Sequence, residues 1–202
     1  MKKLLFSLML LSCVSAQAEV IRVGITWASN KDSLSRSGTI KAYRMAAKSL
    51  REETNARLRL VSFQASRDIS RRFGSGPDAL TVNTRHDRLD LWQIHFGDRQ
   101  DWKFLRIIIL PPINDIWTAG IANGICSFGV KNPMAQISGR KGFILYAAAA
   151  IQHEVGHVLG AWHDENLPAT AMNPDSVRFT SEAGRLLSFS EQSRFEINSC
   201  IE

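Results

Sequence analysis

The feature that most restricts what this chain can fold into is the stretch His153-Glu154-Val155-Gly156-His157-Val158-Leu159-Gly160-Ala161-Trp162-His163-Asp164. Two histidines four residues apart lie on one face of a helix about a turn apart, so both imidazoles can reach one metal ion. Glu154, beside the first of them, can aim a carboxylate at water in the metal's open position instead of at the metal, which is what a general base needs. Gly160 stands three residues after His157, where a left-handed residue ends a helix, a conformation glycine adopts without steric cost. Such a turn brings His163 round as a third ligand. Three neutral nitrogens around zinc leave a fourth position for water, the arrangement of a catalytic site and not of a closed structural one. The competing reading is a buried helix whose histidines are held by hydrogen bonds, and five fixed residues at set spacing favour the metal.

On those residues the chain resembles the metzincin zinc endopeptidases, whose pattern His-Glu-x-x-His-x-x-Gly-x-x-His is followed by a methionine-containing turn. Ala171-Met172-Asn173-Pro174 is similar to that turn. The resemblance implies zinc as cofactor, His153, His157 and His163 as ligands, Glu154 as base and Met172 as the hydrophobic floor beneath the metal. Taken alone, Met172 reads as core filling. Asp164, following the third histidine, is similar to the adamalysin or reprolysin type. Gly120-Ile121-Ala122 with Cys126, and Phe189-Ser190-Glu191-Gln192-Ser193, resemble further segments of that type, although Gln192 stands where the family has cysteine. Met172-Asn173-Pro174 looks more like the matrixin turn. The fold implied is α/β (α+β): a twisted mixed sheet, an active-site helix, and a small C-terminal subdomain ending in a helix. Within it, Gly160 turns the chain, and Asp164 organises the turn around His163 by accepting backbone hydrogen bonds, its plainer reading being a solvated acid. Trp162 reads as a core side chain, with a wall of the site as the functional alternative.

The amino-terminal residues read as an address. Met1-Lys2-Lys3 is positive, Leu4 to Val14 is apolar and Ala16-Gln17-Ala18 is a small-x-small cleavage site, the pattern of a secretory signal peptide over residues 1–18. A competing reading makes Leu10-Leu11-Ser12-Cys13 a lipoprotein box with a lipid anchor at Cys13. No other run is long and apolar enough to span a bilayer. The expectation is a secreted or periplasmic monomer, with residues 19–202 forming one catalytic domain, its upper part 19–160 and its lower part 161–202. Of the formal charge of +6, Lys2 and Lys3 supply two, and the modest remainder does not by itself point to nucleic acid. Arg67, Arg71, Arg72, Arg85 and Arg88 thicken the charge locally without interleaved aromatics, so they read as a solvated face. His86 and His95 have no metal-spaced partner and read as surface histidines.

Of three cysteines, Cys13 leaves with the signal peptide, and Cys126 and Cys200 remain in a compartment where disulfides persist. Bridged, they close a long loop and contribute about 4 kcal/mol in the entropic model; unbridged, they are two buried thiols. The resemblance favours the bridge, since reprolysin domains have a comparable link between the same two regions.

Patterning predicts a strand over Val20 to Trp27, a polar loop over Asn30 to Gly38, and a helix capped by Thr39 and running to Glu53 with Ile40, Tyr43, Ala47 and Leu50 inward. Strands follow at Leu58 to Phe63 and Phe104 to Leu110, the latter a continuous apolar run suited to a sheet interior and ended by Pro111-Pro112. Residues 65 to 83 read as a loop and Thr84 to Phe96 as a helix. Thr118 to Ile144 is Gly-rich and strand-like. There the resemblance places an edge strand above the cleft, with Cys126 to Val130 able to pair with an extended peptide. The active-site helix is expected from near Ala147, burying Ile151, Val155, Val158 and Leu159. Ser190 caps a last helix with Phe195 and Ile197 inward. The function so implied is hydrolysis of peptide bonds in a protein or peptide substrate, with Glu154 as base. A non-catalytic zinc-stabilised binding protein and a hydrolase of cell-wall peptide amides are the alternatives.

Overall fold

The computed structural model describes residues 20–27, 33–65, 104–110, 120–123, 126 and 133–201. The signal peptide with Cys13, the helix expected at 84–96, the arginines between 67 and 88, His86, His95 and residues 127–130 lie outside the described residues.

The elements run β1 (Val20–Trp27), α1 (Arg36–Glu53), β2 (Arg57–Ala65), β3 (Phe104–Leu110), β4 (Gly120–Asn123), β5 (Met134–Ser138), α2 (Ile144–Val158), α3 (Ser176–Ala183) and α4 (Glu191–Ile201). The strands form one sheet in the order β2-β1-β3-β5-β4. β2, β1, β3 and β5 are mutually parallel, and β4 alone pairs antiparallel, with β5. This is the α/β, mixed-sheet architecture expected. Central β3 has Leu105, Ile107, Ile108, Ile109 and Leu110 all buried, so both faces are covered, which is why its sequence is a run and not an alternation. Each such side chain contributes roughly 2 kcal/mol.

α1 begins earlier than Thr39. Ser35 is the cap, its Oγ accepting from Gly38 N–H at 3.0 Å, and Thr39 is fully buried inside the helix. The inward stripe is Thr39, Ala42, Tyr43, Ala46 and Leu50, so Ile40 and Ala47 sit at its margin. Burial pushes the Tyr43 phenol well up and keeps it neutral.

α1 packs on α2, which in turn packs on β5, β4 and α3. α2 opens at Ile144, one turn before the expected Ala147. Ala147, Ala148, Ala149 and Ala150 are all buried, and small side chains let this helix run through the interior with neighbours close on every side. Ile151, Val155, Val158 and Leu159 are buried as expected.

In α4, Ser190 Oγ accepts from Ser193 N–H at 3.0 Å, so the serine cap is present. Ser193, Ile197 and Ile201 form the buried face. Phe195 lies two residues round from that face and is 67% exposed, not inward. Trp162 is 78% exposed and is not a core side chain. Among the described strands β4 and β2 lie at the two edges of the sheet, and Cys126 lies in a turn beyond β4.

Candidate metal centre

The two helical histidines are held from behind. His153 Nδ1 is 2.8 Å from Ala171 O, with Ser176 Oγ at 3.2 Å, and His157 Nδ1 is 2.8 Å from Ala161 O. A carbonyl oxygen only accepts, so each Nδ1 carries a ring proton, and in the neutral ring each Nε2 presents a lone pair.

α2 ends where the third histidine needs it to. Gly160 takes φ 93°, and two bonds close the end: Ala161 N–H to Gly156 O and Gly160 N–H to His157 O, both 3.0 Å. This is the left-handed cap in which the orphan carbonyls of the last turn are satisfied and the chain reverses. His163 then comes back over the helix. Its Nε2 lies 3.0 Å from His157 Nε2 and 3.3 Å from His153 Nε2, while the first pair is 3.1 Å apart.

Those separations test the fit to a metal. Zinc–nitrogen bonds of about 2.0–2.1 Å at tetrahedral angles put ligand nitrogens about 3.3 Å apart. Two lone pairs facing each other at 3.1 Å, with both ring protons on the far side, repel unless a cation lies between them. The three histidines can therefore bind a metal ion. His153 is buried and His163 exposed, so the centre opens to the surface on the His163 side.

Glu154 is buried, and its side chain lies against the edge strand: a methyl built on Gly120 would sit 2.7 Å from Glu154 Oε1. The closeness of β4 to the carboxylate excludes a side chain at that position. Met172 is fully buried under α2, its sulfur filling the space a methyl at Gly156 would need, with Phe189 alongside. Asp164 N–H donates to Met172 O at 3.1 Å, which ties the turn to the residue after His163.

Among the described residues the Asp164 carboxylate accepts from hydroxyls and not from backbone N–H groups: from Thr170 and Ser193 at Oδ2 (2.9 and 3.0 Å) and from Ser190 at Oδ1 (3.0 Å). Cys126 and Cys200 are bridged, with Cα atoms 5.7 Å apart. Ser176, Thr170 and Glu196 carry no signal in the sequence. None stands at a motif spacing, and only their contacts across the fold mark them.

No family model and no curated protein matches the chain. Among solved structures it is similar to metalloproteinase-II from Bacteroides fragilis, with a TM-score of 0.55 at 15% identity over 91% of this chain. It spans 53% of that protein's length, so the likeness is one of fold, over about half of the neighbour.

Proposed function

We propose that this chain is an exported, metzincin-type zinc endopeptidase in which His153, His157 and His163 hold zinc and Glu154 is the general base. The single observation that carries the reading is the set of three Nε2 atoms at 3.0–3.3 Å, two of them with their protons fixed on the opposite ring nitrogen. The fold likeness to a protein named a metalloproteinase supports it.

When bound, zinc supplies Lewis-acid polarisation of a carbonyl and acidification of a water. The chain's own work is proton transfer and exclusion of solvent. Glu154, one residue from a ligand and walled by β4, takes a proton from the attacking water and hands it to the departing amine, so the peptide C–N bond breaks as the amine becomes neutral. Met172 is the floor beneath the histidines. Asp164 and Gly160 shape the turn that delivers His163. Export is part of the proposal, since the amino-terminal pattern and the Cys126–Cys200 bridge both suit an oxidising compartment. Among the described residues no helix is long and apolar enough to cross a membrane.

The test is zinc content together with cleavage of a peptide library that includes cell-wall peptides, for the wild type and Glu154→Gln. Cleavage should fall by about 10²–10⁴-fold in the variant, with zinc unchanged. Near-normal turnover in Glu154→Gln would remove the assigned base. Zinc without cleavage in either protein would favour a binding protein on this fold.

A further inference from the structure

The segment that carries His163 is anchored at alternate residues to successive turns of α4. Cys200, bridged to Cys126, packs against Gly160, where an added methyl would lie 3.3 Å from Cys126 Cβ and 3.6 Å from Cys200 Cβ. Glu196, four residues earlier, accepts from Trp162 N–H through Oε2 at 3.0 Å, and its Oε1 accepts from Gln192 Nε2 at 2.8 Å. Ser193, three residues earlier again, donates to Asp164 Oδ2 at 3.0 Å. Two residues of extended chain rise about 6.6 Å, and three to four residues of helix about 5–6 Å. The segment and the helix therefore run antiparallel nearly in step, 160 against 200, 162 against 196 and 164 against 193.

His163 lies between the last two anchors. Ala161, within the same segment, supplies the carbonyl that fixes His157 Nδ1 at 2.8 Å. A slack segment would thus loosen one ring directly and a second through its hydrogen bond.

We propose that α4 is the positioning element of the third ligand, with Glu196 and Cys200 as positioning residues that act through residues 160–164 on His163. The inference rests on the reading of His163 as a metal ligand. Glu196 does the finer part. Both of its oxygens are engaged, one by Gln192 on its own helix, so the carboxylate is already oriented when it meets Trp162 N–H. A charged acceptor on a backbone donor makes a stronger bond than a neutral one.

The experiment is zinc affinity by competition with a chromophoric chelator, on the full chain, for the wild type, Glu196→Ala, Glu196→Gln and the double variant Cys126→Ser/Cys200→Ser, each also in a His163→Ala background. Glu196→Ala should weaken zinc by about tenfold, within the range that loss of partners behind a ligand costs. Glu196→Gln keeps an acceptor oxygen for Trp162 N–H and should recover most of that loss. In the His163→Ala background the loss should shrink to the part carried through the Ala161–His157 bond. Equal affinity for wild type and Glu196→Ala overturns the proposal, and so does a loss that persists undiminished without His163, because that marks general loosening. Should Glu196→Ala fail to fold by circular dichroism, the double cysteine variant carries the same comparison, and the same two results would overturn the proposal. A wild type that binds no zinc overturns the ligand reading and this proposal together, whereas zinc binding indifferent to α4 overturns this proposal alone.

Discussion

His153 and His157 reach the metal centre from a helix, and His163 reaches it from an irregular segment. The helix is held by its own backbone bonds and by burial on every side, from the alanines at 147–150 to Val155 and Val158. The segment has no ladder of its own. It is fixed by side chains from far along the chain, with Glu196 bonding Trp162 across 34 residues and Ser193 bonding Asp164 across 29. Two of the histidines are thus placed by local periodicity, and the third by tertiary contacts. The candidate site thus combines a helical half with a half bonded to a distant helix.

The comparison can be broken most severely on the helical side. On the proposed reading His157→Ala removes a ligand outright, and zinc affinity, measured by chelator competition, should fall by more than the roughly 100-fold that changes behind a ligand cost. A smaller effect is expected on the other side. Asp164→Ala leaves the hydroxyls of Thr170, Ser190 and Ser193 without their common acceptor, and stability should drop by about 3 kcal/mol, read from the denaturant midpoint. An unchanged midpoint would mean that the hydroxyls find other partners and that the segment is not tied through Asp164. The smallest effect sharpens the distinction between backbone and side-chain anchoring. Trp162→Ala removes a side chain that is 78% exposed but keeps the N–H that Glu196 holds. Stability should stay within about 0.5 kcal/mol, and zinc affinity should not change.

The same division explains what the sequence disclosed. The spacing of His153, Glu154 and His157 is helical, and Gly160 marks a helix end by a conformational rule, so the geometry of that half is open to local reasoning. β3 is legible because an apolar run bounded by turn signals suits a doubly covered strand. Thr39 is mistaken for a cap because Ser35, Ser37 and Thr39 all have the chemistry for it; the chain is tied down just before Ser35, where Leu34 N–H donates to Gly139 O and Leu34 O accepts from Trp27 Nε1. Apolarity alone predicts Phe195 inward, while the buried face is set by Ser193 and Ile197, and a serine turned inward is explained by its bonds to Asp164 and Ser190. The partners of Asp164 escape the sequence for a related reason. A carboxylate after a turn ordinarily accepts backbone N–H groups, but three hydroxyls brought from two separate stretches occupy it here.

The strand order has a consequence in time. β1 and β3 lie side by side, with Val23 opposite Leu105, β3 pairs in turn with β5, and α2 packs on α1 as well as on β5 and β4. Contacts so distant in sequence wait on loop closure, and sheets built from them form slowly. The three imidazole nitrogens lie on elements packed against that sheet and bonded to α4, so their convergence is expected late in folding. Metal capture is therefore expected as the last event of assembly and not its trigger. Small zinc-nucleated domains do the reverse and stay unfolded until the ion arrives. On the proposed reading, a chain with this topology is expected to keep its sheet without metal and to take the ion up as a finished molecule.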